Sequence, residues 1–473
     1  MKLLFKSIIT ITVVFLGLLS GCTTSKTYNP ILNNREAIDL SCKDCNVIFL
    51  NIDLLRADYV SLIRSEHNLT PNIDAFFKNS IIFEDVSSSS GVTGISNMAT
   101  LLGLDGAFTH ALLRETYVDV PPQLPFKYFE LFSQLPSIAE ALKANEYETI
   151  NINHGWYAGK QMLLHRGFDR YLGIGEVGMA ENIPAKVLSK ATEILREKAQ
   201  EQNKFFLLMR SEDLRSLPYR YPLNRSHIID PRIHYKRIKP HYYDIHYQTT
   251  ADGQLTVKFP SSAKINWMSN STIEEYRNLS QALYAQQLTF IDEELGKLFS
   301  VIQESALLDK TIVVLYANHG DGLYDNRVPN HGVSYQSCVS VPLLIRHPKI
   351  HTPLRVRTPV SLIDLVPTIY GMVNVDPPKG VDGLNLNETI KKGTYARTYI
   401  YGTDKESQYV RVGMMKLIVW IDRTKELYNL ATDPHEQNNL VYQQPDLVKS
   451  LYSIMGNHEI ERLDRALIFL KNK

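Results

Sequence analysis

The stretch NVIFLNIDLLRAD, residues 46–58, decides the fold. Its first seven residues form a largely apolar run bounded by polar ones, the pattern of a parallel strand covered on both faces. Similar runs recur at 149–152, shorter and more polar, and at 205–209 and 311–316. Helical periodicity separates them at 135–145 and 273–300, the latter apolar at Leu283, Leu288, Ile291, Leu295 and Leu298. Strand alternating with helix predicts an α/β fold, a mainly parallel sheet sandwiched by helices.

At 473 residues the chain can bury one large core and a smaller one. The catalytic body is expected over 46–371, where the helical pattern gives way to the Pro/Gly-rich passage DPPKG at 376–380. A smaller C-terminal α+β subdomain is expected over 372–473, with a strand at 416–420. Residues 214–270 break the alternation with Tyr, His, Arg and Pro, and a segment that long inside a domain is more often functional than a plain connection. The net charge of +1 provides no global field for nucleic acid, which is excluded as a first partner, so anion binding must come from local geometry.

The N-terminal 22 residues stand apart. Lys2 and Lys6 precede an apolar run over 8–19, too short to span a bilayer comfortably, which ends in LSGC at 19–22. This resembles a bacterial lipoprotein signal, with Cys22 as the lipidated mature N-terminus; an uncleaved anchor is the alternative. Either way the body faces outside the cytoplasm, in the cell envelope, with the membrane as a partner and residues 23–45 as a polar tether. In such an oxidising compartment Cys42 and Cys45 can pair, whereas Cys338, in an apolar stretch, reads as a buried thiol. The CxxC spacing also fits a redox motif, but those normally open a helix after a strand, and this one precedes a strand.

In open α/β sheets ligands gather at the carboxyl ends of strands. Asp53 follows the first run, His154 the run at 149–152, and Asn318 and His319 the run at 311–316. Carboxylate, amide and imidazole meeting at one sheet edge could hold a cation that neutralises ester oxygens and activates a hydroxyl. The loop SSSSGVTGIS, residues 87–96, supplies hydroxyls just before a helical pattern at 97–102, where backbone N–H groups favour an anion. Taken singly, an Asp or His after a strand is more often a cap or turn former than a ligand, and a Ser run is more often a plain polar loop; their shared location gives the joint reading its weight.

In order along the chain stand LTPNID (69–74), FEDV (83–86), FIDEELG (290–296), YANHGD (316–321), VPLLI (341–345), PVSLIDLVPT (359–368) and ELYNLATDPHEQNNL (426–440). With the opening strand and Asp53, this succession resembles the sulfatase family of the alkaline-phosphatase-like superfamily. The resemblance implies one divalent metal ion (Zn, Mn, Ca or Mg) held by Asp53, Thr93, Asn318 and His319, and an anionic ester substrate. Family sulfatases carry Cys or Ser in a C/S-x-P-x-R motif whose first residue becomes formylglycine, and this chain has no such motif. Counting back from ATLLG (99–103) places Thr93 at the nucleophile position and Ser96 three residues on, a pattern similar to the threonine type of the phosphoethanolamine and phosphoglycerol transferases.

That substitution bears on the substrate. A formylglycine hydrate expels sulfate by collapsing to an aldehyde; a threonine ester must be cleared by water or an acceptor alcohol, a route familiar for phosphoryl groups. The resemblance also implies that His331 grips the ester oxygens, that His154 and Trp156 belong to a substrate-binding His-Gly stretch, and that Ser96 and Arg215 face substrate. Asn318 stands where the family usually has Asp, and Ser216 where a histidine is expected. The expected function is a metal-dependent phosphate (or sulfate) ester hydrolase or transferase acting through Thr93, with His154 and His331 assisting, on a lipid head group or envelope glycan. The alternatives are a sulfatase without formylglycine and a catalytically impaired lipoprotein that binds an anionic glycan through Arg220, Arg225, Arg232, Lys236, Arg237 and Lys239.

Overall fold

The computed structural model describes residues 38–64, 68–106, 135–154, 164–174, 186–211, 214, 219–222, 246–249, 254–258, 269–404 and 406–471. In chain order the strands are β1 (Asn46–Ile52), β2 (Ile81–Phe83), β3 (Val86–Ser87), β4 (Glu148–His154), β5 (Arg170–Ile174), β6 (Phe205–Ser211), β7 (Tyr219–Pro222), β8 (His246–Thr249), β9 (Gln254–Lys258), β10 (Thr311–Tyr316), β11 (Leu343–Arg346), β12 (Leu354–Val356), β13 (Val360–Ser361), β14 (Ile400–Thr403), β15 (Ser407–Val412), β16 (Met415–Trp420) and β17 (Lys425–Asn429). The helices are α1 (Pro71–Phe77), α2 (Thr93–Leu102), α3 (Ile138–Lys143), α4 (Lys186–Lys198), α5 (Asn270–Glu304), α6 (Gln336–Val339), α7 (Leu365–Val373), α8 (Asn387–Lys392) and α9 (Pro445–Lys471).

β1 is buried at every position, which requires cover on both faces of the sheet. It pairs in parallel with β10 on one side and β6 on the other. The full order is β12-β2-β11-β10-β1-β6-β4-β5, parallel throughout except where β11 runs antiparallel to β10 and β2. The two polar residues of β1 bond inside the core, Asn46 through both amide atoms and Asn51 through its Nδ2 only, its Oδ1 being buried without a partner. Asn46 Oδ1 accepts from the Phe205 N–H at 3.1 Å and its Nδ2 donates to Thr311 Oγ1 at 3.3 Å, while Asn51 Nδ2 donates to Asn97 Oδ1 at 2.7 Å. These bonds lock the neighbouring strands and α2 onto the central one.

Several elements run longer than their sequence pattern. β4 extends to His154, which is thus the last residue of the strand rather than two residues beyond it. α5 covers 35 residues, opened by Ser269, whose Oγ accepts from the Thr272 N–H at 3.2 Å. α2 begins at Thr93, not at 97, so Thr93 and Ser96 lie in the first turn of a helix and only Ser88 to Val92 remain loop. Of the 214–270 segment, the described pieces β7, β9 and β8 pair as a three-stranded antiparallel sheet.

β14–β17 form a four-stranded antiparallel sheet against which α9 packs, burying Leu451 and Met455 with Tyr401, Val410, Leu417 and Leu427. One end of this sheet reaches the loop before α2. The Thr403 N–H donates to the Ser89 carbonyl at 2.9 Å, and the Tyr409 hydroxyl to the Ser88 carbonyl at 2.6 Å. Cys42 and Cys45 are joined in a disulfide, and Cys338 is a buried free thiol.

Candidate active site

Parallel pairing in register brings the carboxyl ends of β10, β1, β6 and β4 to one edge of the sheet. Asp53 follows β1, His154 closes β4, Arg210 lies one residue before the end of β6, and Asn318 and His319 follow β10 by two and three residues. α2 delivers Thr93 to the same place. The Thr93 Oγ1 lies 2.9 Å from His319 Nε2, and His319 Nδ1 lies 2.8 Å from the carbonyl oxygen of Gly320. A carbonyl only accepts, so Nδ1 carries the ring proton and Nε2 offers a lone pair to the threonine hydroxyl.

Burial pulls the pKa of His319 down to about 4, with Asp53 opposing and His331 adding to the drop. The imidazole is therefore neutral at neutral pH and able to take a proton. His331 stacks on it with ring centroids 4.7 Å apart, and its Nδ1 stands 3.5 Å from Asp321 Oδ1. Unlike His319, His331 retains contact with solvent, its side chain 27% exposed.

The loop carrying these groups is tightly held. Gly320 donates its N–H to the Cys338 carbonyl at 2.8 Å, and a Cβ at Gly320 would stand 2.2 Å from the Ser337 carbonyl oxygen, so only glycine fits that approach. Arg56, buried and bidentate on Asp58 and paired with Asp325 at 2.7 Å, donates Nη1 to the Asp321 carbonyl at 3.2 Å. On the opposite side, Asp404 accepts from the Gly91 N–H at 2.5 Å, the Ser90 hydroxyl at 2.8 Å and the Ser334 hydroxyl at 3.0 Å, which fixes the turn leading into Thr93.

Ser96 was expected to face substrate, and here the structure differs. It is fully buried, its Oγ donates to the Asn318 carbonyl at 2.6 Å and lies 2.9 Å from Ser88 Oγ. It ties α2 to the strand-end loop and so positions both Thr93 and His319. Trp156, Arg215 and Cys22, as well as Ser216 and Arg220, Arg225, Arg232, Lys236, Arg237 and Lys239, were singled out from the sequence; Arg220 lies in β7, and the others fall outside the described residues. The imidazole of His154 is buried with no partner on Nδ1, and its carbonyl accepts from Arg210 Nη1.

Arg210 was missed. Its guanidinium, 3% exposed, places Nη2 at 2.7 Å from Asp53 Oδ2. Burial alone would raise the Asp53 carboxyl, but Arg210, then His319 and His331, outweigh it and hold the pKa below the ordinary value. The signal was available: FFLLMRS is a wholly buried strand with one cation near its end, and a buried cation needs a partner.

A model of the sulfatase family matches residues 45–375, most of the chain, including Asp53, Thr93, Arg210, Asn318, His319 and His331. The chain belongs to the sulfatase family. A second model, the C-terminal part of N-sulphoglucosamine sulphohydrolase, matches residues 320–462. Arylsulfatase K of Danio rerio is 26% identical over 213 residues, 42% of this chain and 40% of that protein. A sulfatase of Formosa agariphila is 27% identical over 185 residues, 38% of this chain and 35% of that protein. The aligned stretches thus span about two fifths of these curated relatives. Among solved structures, a 2-O GAG sulfatase superposes with a TM-score of 0.64 at 16% identity, covering 89% of this chain and 93% of that one. The phosphonate monoester hydrolase of Agrobacterium radiobacter superposes with a TM-score of 0.61 at 15% identity, covering 88% of this chain and 96% of that one. At these identities the likeness shows the fold, the α/β core of the alkaline-phosphatase-like superfamily with its C-terminal antiparallel sheet.

Sulfatase-family enzymes typically bind a divalent metal, so the donor set of this sulfatase-family chain must be tested against one. In favour, Asp53 Oδ1 and both amide atoms of Asn318 are buried without hydrogen-bond partners. Against, Asn318 is neutral, so Asp53 supplies the only carboxylate of the expected set, and Arg210 already neutralises it. Asp321 Oδ1 is engaged with His331 and with the Gly322 N–H while its Oδ2 is buried without a hydrogen-bond partner, and among the described residues no three His, Cys, Asp or Glu side chains gather in ligand geometry. A dication on the free oxygen of Asp53 would face the guanidinium across the carboxylate; at roughly 5 Å and an effective dielectric of about 20, that repulsion is on the order of 6 kcal/mol. Hard divalent cations are held by several charged oxygens. The residues present do not fit such an ion.

Proposed function

We propose that this sulfatase-family chain hydrolyses an anionic phosphate or sulfate ester through Thr93 as nucleophile and His319 as its base. The observation that carries the reading is the 2.9 Å approach of Thr93 Oγ1 to a histidine nitrogen whose opposite nitrogen is pinned on the Gly320 carbonyl. Hydroxyl, base and an orienting group for the base form the arrangement by which a weak nucleophile is activated.

In the first step Thr93 Oγ1 attacks phosphorus or sulfur and its proton passes to His319 Nε2. The bond to the leaving oxygen breaks, and that oxygen takes a proton from His331. In the second step water attacks the same atom and gives a proton to His331, and Thr93 Oγ1 departs with the proton returned by His319. Clearance of the threonine ester by water favours phosphate. The phosphonate monoester hydrolase of the same fold supports this, as its name places hydrolysis at phosphorus on such a scaffold. Sulfate is the second reading, supported by the arylsulfatase K relatives and by a neighbour solved with D-glucosamine-2-N,6-O-disulfate. An exported setting, with Cys22 anchoring the body to the envelope membrane, is supported by the Cys42–Cys45 disulfide, since such bonds persist in oxidising compartments.

The test is turnover of chromogenic sulfate, phosphate monoester and phosphate diester substrates by the purified chain. Phosphate ester turnover is expected; turnover of sulfate alone would reject the threonine clearance argument, and turnover of none would reject the enzyme. The pH profile of kcat/KM provides a second check. Because the base must be neutral and burial holds its pKa at about 4, the acid limb is expected near pH 4 rather than near the ordinary histidine value of about 6.5. A limb at 6 to 7 would assign the base to another group.

A further inference from the structure

We propose that Arg210 supplies the fixed positive charge of this site in place of a divalent cation, so that the anionic group is held without metal. The inference rests on the site reading given under Proposed function and departs from the family's usual metal. Its first support is charge. Asp53 is the one carboxylate of the donor set that the resemblance implies, Arg210 Nη2 stands 2.7 Å from its Oδ2, and the side chains of Asn318 and Thr93 carry no charge. The charge of that carboxylate is thus offset by a fixed cation, although its Oδ1 has no hydrogen-bond partner.

The second support is geometry. Arg210 is not a surface side chain that could swing aside. It is 3% exposed, held on one nitrogen by Asp53 Oδ2 and on another by the carbonyl of His154, the last residue of the neighbouring strand β4. A guanidinium cannot be deprotonated in a protein and presents a planar fork suited to tetrahedral oxyanions, so it can serve as the permanent cation that a metal would otherwise supply. The two features act in one direction: Asn318 supplies no negative charge at β10's end, and Arg210 supplies a positive one near the end of β6. Each weakens a metal site, and together they leave a fixed positive charge to meet an anionic ligand.

The test uses the purified full chain and does not depend on turnover, so failure of the hydrolase reading and failure of this one are separable. Elemental analysis is expected to find well below one equivalent of Ca, Mg, Mn or Zn, and wild-type thermal melting is expected to be unmoved by EDTA or by millimolar amounts of each ion. Arg210→Met uncovers Asp53, and added Ca²⁺ is expected to raise its melting temperature by roughly 3–5 °C at a hundredfold excess over Kd. Arg210→Lys, which keeps the charge, is expected to behave as wild type toward Ca²⁺. Inorganic phosphate is expected to stabilise wild type with or without EDTA. One equivalent of metal in the wild type, stripped by EDTA with a fall in melting temperature or loss of phosphate stabilisation, overturns the proposal. Should Arg210→Met fail to fold, the wild-type metal content and EDTA measurements decide by themselves.

Discussion

Thr93→Ala is expected to lower kcat by about 10⁴–10⁶, the scale seen when the hydroxyl of a hydroxyl–histidine pair is removed and only binding and electrostatic stabilisation remain. The loss falls on kcat because the substitution removes the atom that forms the covalent bond while leaving His331 and Arg210 in place, so KM should move little. Folding should survive: among the described residues the Thr93 hydroxyl makes one hydrogen bond, to His319, and the bond from Asn97 Nδ2 at 2.9 Å goes to the backbone carbonyl, which alanine keeps. A single net hydrogen bond is worth about 1 kcal/mol. Thr93→Ser retains the oxygen and should keep measurable turnover, reduced by the extra rotamer freedom of a side chain without the β-branch. Single-turnover kinetics with a chromogenic phosphate ester separate the outcomes. A burst in wild type, absent in Thr93→Ala, supports the threonyl ester. Equal steady-state rates in both proteins would show that Thr93 is not the nucleophile, and if phosphate still bound to both, the anion-binding reading would take its place.

The parts of this molecule legible in the sequence are those whose cause is local. β1 and β10 were placed at their observed bounds because a strand buried on both faces shows as an unbroken apolar run. The strand-end rule then located Asp53, His319 and Asn318 without any knowledge of pairing. β2 and β11, the antiparallel element of the sheet, were not read as strands, because three or four apolar residues do not distinguish a strand from a buried helical turn. Arg210 was passed over because the apolar run was ended at Met209, one residue short of the only cation in that strand. Nothing local marked Asp404 as the group that fixes Gly91 and Ser90, since the partners lie more than 300 positions apart. Ser96 was misread for the same reason. Its spacing from Thr93 is local, but what fills its hydrogen bonds, the Asn318 carbonyl and Ser88, is set by how α2 docks on the sheet.

Glu436→Ala is expected to destabilise the fold by about 3–5 kcal/mol, the scale for stranding one member of a buried ion pair. Lys416, in β16, places Nζ at 2.8 Å from Glu436 Oε1, and both side chains are fully buried. Desolvation pushes the Lys416 pKa down and that of Glu436 up, while the attraction between them opposes both shifts, so the pair is held by mutual compensation rather than by solvent. The pair also spans elements. Lys416 Nζ donates to Gln336 Oε1 at 2.9 Å, and the Gln336 N–H, at the start of α6, donates to Glu436 Oε2 at 2.6 Å. α6 follows the loop that carries His331, and its Cys338 carbonyl receives the Gly320 N–H next to His319. Removing the carboxylate therefore leaves a buried ammonium with no counter-charge, its one remaining bond going to the Gln336 amide oxygen, and strands the Gln336 N–H, so α6 is the first element expected to loosen. Urea unfolding should show the loss as a lower midpoint at unchanged m. The double variant Lys416→Met/Glu436→Leu, which removes both charges, should recover most of it, because an apolar pair of similar volume has no desolvation to offset. If Glu436→Ala shifts stability by less than about 1 kcal/mol, the range of solvent-exposed ion pairs, then water reaches Lys416 and the C-terminal sheet is not what holds α6. In that case the site loop relies on Arg56, Ser88 and Ser96, and turnover should withstand the substitution.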